Sequence, residues 1–263
     1  MAAGTPAPNS RLPAAARHPW ILGALGLLAL LALWALVAGL GVVDGLFLPT
    51  PAAVWAAGVE EASSGQLWSD ISASVLRVLA GFGLSALVAL PLGIAMGASV
   101  TICRLLEPLL ALLRYMPAPA FIPLLIIYFG LGELPKVLLI FIGTLFFNTL
   151  MIMDAVKFVP RQLLETTRTL GGSQRDLLLR VITPCIAPQV LDAFRINMAA
   201  AWNLVIVAEL VAAESGLGKR ISLAQRFLRT DQIFLGLIVI GLVGLLIDLS
   251  FRALMKRSCA WAS

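Results

Sequence analysis

From Trp20 to Val43 the chain runs without a single Asp, Glu, Lys or Arg. A hydrocarbon core about 30 Å thick is crossed by roughly 20 apolar residues in a helix, because a helix satisfies its own backbone donors and acceptors in lipid. This run is long enough to cross. It exceeds the core of a signal peptide and lacks a small-residue cleavage pattern, so it is read as a retained first span. Composition extends the constraint to the whole chain, with 60% hydrophobic and 13% charged residues over 263 positions, against about 25% charged in soluble domains. Further spans are predicted at Ser74–Ala98, Met116–Leu131, Val137–Met153, Ile186–Ala213 and Ile233–Met255. The ten-residue alternating strands of a membrane barrel are absent from the sequence. The expected fold is all-α, a polytopic membrane protein of about six helices over residues 20–257, with tails at 1–19 and 258–263.

Basic residues in short connections orient such a bundle. Arg11 and Arg17, then Arg104 and Arg114, then Lys157, Arg161, Arg168, Arg175 and Arg180, and finally Arg252, Lys256 and Arg257 would all face the cytoplasm, with both termini. The first outer connection, bearing Asp44, Glu60, Glu61 and Asp70, fits the opposite side. One connection dissents: Glu214–Gln232 carries Lys219, Arg220, Arg226 and Arg229 on the outer side. These charges either meet a partner, concentrate anions at a cavity mouth, or are simply solvated.

Catalytic constellations are missing from the sequence. It has one histidine, His18 in the tail, and its three cysteines, Cys103, Cys185 and Cys259, read as small apolar fillers near cytoplasmic ends. No phosphate-cradling glycine loop, nucleophile elbow or zinc-binding helix motif occurs. This chain is therefore expected to hydrolyse no ATP and to hold no metal or cofactor, and nothing in it suggests nucleic-acid binding.

Between the fourth and fifth apolar runs lies a polar stretch at residues 160–184. Pro160 fits a first helical position, Gly171 fits the residue after a helix end, and Ser173 with Asp176 forms a capping-box start. Two short helices around a glycine elbow are predicted. Glu165, Gly171 and Pro184 stand at spacings that resemble the Glu-Ala-Ala…Gly…Ile-x-Leu-Pro loop of bacterial ATP-binding-cassette (ABC) importer permeases. Thr166 and Thr167 replace the two alanines, and Val181-Ile182-Thr183-Pro184 replaces the end of the motif.

Inside the spans, Tyr115-Met116-Pro117-Ala118-Pro119-Ala120-Phe121-Ile122-Pro123 must bend or break a helix, since each proline removes a donor. Breaks of this kind are tolerated where carbonyls are buried or line a wet cavity. An ionisable group near a helix centre costs about 2.5–3.5 kcal/mol on insertion scales, so each needs an account. Arg77 and Glu209, near the outer ends of spans two and five, are predicted partners. Asp248 and Arg252, four apart, can neutralise each other. Arg195 lies roughly 15 Å along its helix from Pro184 and is expected to reach Asp154 or to face a water-filled cavity. With Tyr128, Asn148, Thr149, Asn197 and Asn203, it could line a route for an anion; the asparagines could equally hold helices together. Trp20, Trp55 and Trp68 read as interfacial anchors, and Thr50-Pro51 as the start of a surface helix.

The likeness widens with Phe47-Leu48-Pro49-Thr50-Pro51, Ser74 to Phe82, Arg195 to Glu209, and Ser215-Gly216-Leu217-Gly218, which together look like the nitrate/sulfonate/taurine/bicarbonate branch of type I ABC importer permeases. That resemblance implies a permease in the bacterial inner membrane, a homodimer carrying two cytoplasmic ATPase subunits that bind ATP and Mg, fed by an extracytoplasmic substrate-binding protein. It implies an ATPase-coupling surface at Glu165, Thr166, Thr167, Leu170, Gly171, Asp176, Leu177 and Pro184. Its substrates would be small anions, although some members carry neutral compounds. An ion-coupled carrier is the alternative, but it would need an unpaired intramembrane acid or an internal repeat, and the sequence offers neither.

Overall fold

A computed structural model describes residues 19–259, with the side chains of residues 19–21 and of Ala212 left undescribed. The expectations for the tails, for His18 and for the Trp20 side chain lie outside these residues, save that helices reach Pro19 and Ser258. Among the described residues all regular structure is helical.

Helix α1 (Pro19–Gly39) turns its leucines outward, and Trp34 ties it to the rest. The Trp34 indole N–H donates to the Pro49 carbonyl at 3.0 Å and the ring stacks on Phe234 at 5.6 Å. Helix α2 (Pro51–Ser63) starts where Thr50 accepts a hydrogen bond from the Ala53 amide, with proline in the first turn. Trp55 and Trp68 are largely exposed, as interfacial anchors should be.

Helix α3 (Gln66–Ala98) begins about two turns before the predicted Ser74. It packs along α6 (Glu133–Lys157), which in turn packs along α9 (Thr183–Ala212). The α3 seam repeats a small residue every fourth position, Gly81, Ser85, Ala89, Gly93 and Gly97. In lipid no hydrophobic force pulls helices together, so close backbone approach must supply the attraction. A Cβ on Gly93 would stand 2.7 Å from Ile152 Cβ and 2.8 Å from the Thr149 carbonyl oxygen.

The predicted third span, Met116–Leu131, is not a continuous helix. Helix α4 (Val100–Leu113) is followed by a tight 3₁₀ turn at Ala118–Phe121 and by α5 (Ile122–Phe129), an eight-residue helix. Eight residues rise only about 12 Å, too short to cross. The axes before and after the break differ by 83°. Pro117, Pro119 and Pro123 cause it, because none can donate to the preceding turn.

The polar stretch also departs from expectation. Helix α7 (Arg161–Thr169) is short, but the second helix is not. After the single turn α8 (Gln174–Asp176), Leu177–Ile182 adopts π geometry and runs directly into α9. Pro184 sits in the first turn of α9 and therefore does not break the rod. A wider turn just ahead of a proline shifts the hydrogen-bond register, and the Thr183 hydroxyl donates to the Leu178 carbonyl at 2.8 Å. Helices α10 (Leu217–Arg226) and α11 (Thr230–Ser258) complete the chain. One apolar cluster, including Phe82, Trp202, Val205 and Leu235, fills the end near α10; another, including Ala89, Ile152, Ile182 and Ile186, fills the end near α7.

Candidate functional site

At the α7 end the elbow is a closed C-terminal cap. The Gly172 amide donates to the Thr167 carbonyl at 2.9 Å and the Gly171 amide to Arg168 at 3.0 Å, with Gly171 at φ +78°. This is the left-handed helix end that glycine allows at no steric cost. Ser173 and Asp176 then form a reciprocal capping box, each side chain bonding the other residue's backbone amide at 3.1 Å. The two threonines that replace alanine are accommodated: the Thr167 hydroxyl donates to the Leu163 carbonyl at 2.7 Å, and Thr166 points outward. Glu165, Thr166 and Leu170 are exposed, whereas Leu177 is buried beneath them. The loop thus presents a polar face with exposed leucines, Leu163 and, most bare at 81%, Leu170. A cavity of about 620 Å³ lies behind it, between Leu164, Leu177 and the end of α3 at Ile94 and Gly97.

At the opposite end a charged clamp joins α3, α6, α9 and α10. The Arg77 Nη1 donates to Glu209 Oε1 at 2.6 Å and to the Ser215 carbonyl at 2.8 Å, while its other face forms a two-pronged pair with Glu133. Lys136 joins through Glu133 at 2.8 Å. Arg77 and Lys136, both buried, are matched in number by the buried Glu209 and the exposed Glu133. Glu209 is only 1% exposed but well supplied, accepting also from the Ser74 hydroxyl and, at 2.9 Å, from the Gly218 amide. The sequence paired Arg77 with Glu209 and missed Glu133 and Lys136. Those two stand beside Arg77 in space, far from it along the chain.

The Ser215-Gly216-Leu217-Gly218 turn is gripped by the same cluster. Its successive amides at Gly216, Leu217 and Gly218 donate to Asp70, Ser74 and Glu209 at 2.8, 3.0 and 2.9 Å. Gly216 has φ +116°, and a Cβ there would collide with the Glu209 carboxyl and the Arg77 guanidinium.

The basic outer connection is largely neutralised from within. Arg220 is held by Asp70, with Nε 2.6 Å from Oδ2, and by Glu61 at 3.1 Å. Lys219 donates to the Glu214 carbonyl, and Arg229 lies 3.4 Å from Asp231. The expectation that Arg220 is available for steering is therefore corrected. Of the four basic residues, Lys219 and Arg226 have no carboxylate within 4 Å among the described residues. The acids of the first outer connection explain why excess positive charge is tolerated here.

Glu61 is the odd member of this group, buried at 4% exposure, and Arg220 approaches it without a well-formed hydrogen bond. Burial pushes its carboxyl above the ordinary value and Arg220 pulls part of the way back. A carboxyl so raised keeps its proton longer in the folded state, so its contribution favours folding at low pH and fades as pH rises past the ordinary carboxylate range. Glu61→Gln is expected to leave the apparent melting temperature unchanged near pH 5 and to raise it near pH 8. Equal melting shifts at both pH values, followed by intrinsic fluorescence, would contradict that reading.

Of the residues expected along a pathway, three belong to the helix interior. Asn148 and Asn197 are buried and chained, Asn197 Nδ2 donating to Asn148 Oδ1 at 2.8 Å and Asn148 Nδ2 to the Ser85 hydroxyl at 3.0 Å. Thr149 is buried and donates back to the Leu145 carbonyl at 2.8 Å. The two asparagines and Ser85 join α3, α6 and α9, while Thr149 bonds within α6. Tyr128 is exposed on α5 but lines neither central cavity.

Arg195 departs from one of its two expected settings and lines a cavity with Trp202 and Asp248. It meets Asp192, one turn away on its own helix, at 2.8 Å and Asp248 on α11 at 3.1 Å. Asp154 is not its partner. Asp248 still pairs with Arg252 at 2.7 Å, but bridges two arginines rather than one. The Asp192 signal was readable, an acid three residues before the arginine.

Two cavities border the middle of α9. A smaller one of about 170 Å³ lies between Arg195, Trp202 and Asp248. The larger, about 370 Å³, opens at the broken third segment between Arg114, Pro117, Phe146 and Asn203. Asn203 touches both. Arg114 was assigned to a cytoplasmic flank by its place in a short connection, and the structure corrects this. It lines this cavity together with Ile142, Gly143, Phe146 and Phe147 of α6, which lie about 14–21 Å along a helix of 25 residues, near its middle.

Residues 89–258 match the family described as binding-protein-dependent transport system inner membrane component. The chain is 35% identical to the taurine transport system permease protein TauC of Escherichia coli K12, over 87% of this chain and 85% of that protein. It is 34% identical to the putative aliphatic sulfonates transport permease protein SsuC of Bacillus subtilis, over 95% and 90%. It is 28% identical to the nitrate import permease protein NrtB of Leptolyngbya laminosa, over 70% and 66%. In fold it resembles the inward-facing MetNI methionine ABC transporter, with a TM-score of 0.66 at 16% identity, covering 73% of this chain and 96% of that one. With several apolar helices long enough to cross a bilayer, the chain is a transporter subunit of the inner membrane rather than an enzyme, and it belongs to the permease family of binding-protein-dependent ABC importers.

Proposed function

We propose that this chain forms the translocation pathway of an ATP-driven importer for a small oxyanion, with sulfonates as the leading class. Two copies make up the membrane unit. Two ATPase subunits, holding ATP and Mg, dock on the cytoplasmic face at Glu165, Thr166, Thr167, Leu170, Gly171 and Asp176, over Leu177 and Pro184. An external binding protein delivers cargo at the α10 end, and both chain termini face the cytoplasm. The relatives named for taurine, aliphatic sulfonates and nitrate support the cargo class, because each of those compounds presents negatively charged oxygens.

The observation that carries the coupling role is continuity. The capped elbow at Gly171 leads through the π turn into α9 without a break, and α9 carries Glu209 of the outer clamp in its last turn. A push on α7 is thereby delivered to a rigid rod, which suits rocking of packed helices between two discrete arrangements. The test is co-purification with the ATPase subunit in detergent. Stoichiometric recovery, and hydrolysis stimulated by cargo-loaded binding protein, is the expected result; transport by the permease alone, driven by an ion gradient, would contradict it.

A further inference from the structure

Most polar groups within the bundle are already answered. Arg77, Lys136 and Arg195 face carboxylates, and Asn148, Asn197 and Thr149 bond one another or the backbone. Arg114 stands apart by its position: it is exposed, it lines the cavity beside the middle of α6, and no carboxylate stands within 4 Å of it among the described residues. Its only contacts of note are with Tyr115, whose hydroxyl accepts from Nη2 at 3.2 Å and whose ring lies 5.0 Å from the guanidinium carbon. A guanidinium has five N–H donors and keeps its charge at any physiological pH, so most of its capacity is left open.

We propose that Arg114 is the residue of the pathway that contacts the anionic head of the cargo at mid-membrane, with Asn203 facing it across the 370 Å³ cavity. This rests on the reading of the cargo as an oxyanion. The prolines that follow it turn the path by 83°, and Pro117 and Pro119 line the same cavity beside α6 and α9. Asn203 donates to the Ala199 carbonyl at 3.0 Å through Nδ2, which leaves its second amide hydrogen for a ligand. Arg195, whose charge is met by two carboxylates, is not suited to the task. An intramembrane cation without a partner is tolerated where it meets water or an anion, and the cavity offers room for both. Forked donors then bind sulfonate or nitrate oxygens two at a time.

The experiment uses the assembled transporter in proteoliposomes, with nitrate, taurine and ethanesulfonate as probes. Arg114→Gln should lower uptake at saturating binding protein by about tenfold or more while ATPase recovery stays at the wild-type level. Arg114→Lys should regain part of the loss. In a background free of the native cysteines, R114C should react with membrane-impermeant thiol reagents, and a cationic adduct should support more uptake than a neutral one. Wild-type uptake in Arg114→Gln, or an unreactive R114C, overturns the proposal while leaving the oxyanion reading intact. A wild-type complex that imports none of the three probes overturns both, a result distinct from anion import that ignores position 114. Should Arg114→Gln fail to assemble, the comparison of the two R114C adducts decides.

Discussion

Arg77→Met is expected to lower the apparent melting temperature by on the order of 10 °C, the equivalent of about 3–5 kcal/mol for stranding one partner of a buried ion pair. The stranded group is Glu209, at 1% exposure, with only Ser74 and the Gly218 amide left to support its charge. Glu209→Met should be less damaging, since Arg77 keeps its two-pronged pair with Glu133 and its bond to the Ser215 carbonyl. The double variant should be less destabilised than the sum of the two, because replacing both charges leaves no unpaired ion. Lys136→Met provides the contrast: its partner Glu133 is 60% exposed at the side chain, so losing that bridge should cost about 1 kcal/mol or less. Scanning fluorimetry in detergent reads all four. Strict additivity of Arg77 and Glu209 would mean that the clamp does not act as a unit.

Gly171→Val is expected to leave membrane insertion and folding intact while uncoupling the ATPase. At φ +78° a β-branched side chain is strained by about 1–3 kcal/mol. The chain relieves that strain by opening the elbow, which moves Glu165 and Leu170 relative to the rod that starts at Gln174. Recovery of the ATPase, or cargo-stimulated hydrolysis, should fall by about tenfold or more. Gly171→Asn, which tolerates the left-handed region, should fall less. No atom lies within 4 Å of a Cβ built at this position, so the effect is one of backbone conformation and not of crowding. Stoichiometric recovery and normal coupling in the valine variant would remove the elbow from the docking surface.

Both sites were legible because their signals are local or set by depth. Gly171, Ser173 and Asp176 encode a cap and a capping box within six residues, and turn chemistry of this kind does not depend on what packs against it. Arg77 and Glu209 were matched by their distance from helix ends. The third segment shows where such reasoning stops. Three prolines announce a break, but no residue encodes the angle of the chain after it. Counting basic residues in short connections places Arg114 at the cytoplasm; at the end of α4 it lines a cavity with residues from the middle of α6, a matter of how α4 packs and not of its local sequence. Polar side chains failed for the same reason. Asn148 and Asn197 look like a channel lining in sequence, and only helix rotation reveals that they face each other, with Ser85 beside Asn148. The small-residue stripe on α3 was visible in the sequence every fourth position and would have identified the face that meets α6.

The central claim is that this chain moves an anion only when an ATPase pushes its α7 loop. Proteoliposomes containing the permease, its ATPase and its binding protein should accumulate radiolabelled taurine or a short alkanesulfonate when ATP and Mg are supplied on the ATPase side. Accumulation should stop when ATP is replaced by a non-hydrolysable analogue, and should be indifferent to an imposed proton or sodium gradient. Uptake that follows the ion gradient and ignores ATP would contradict the account.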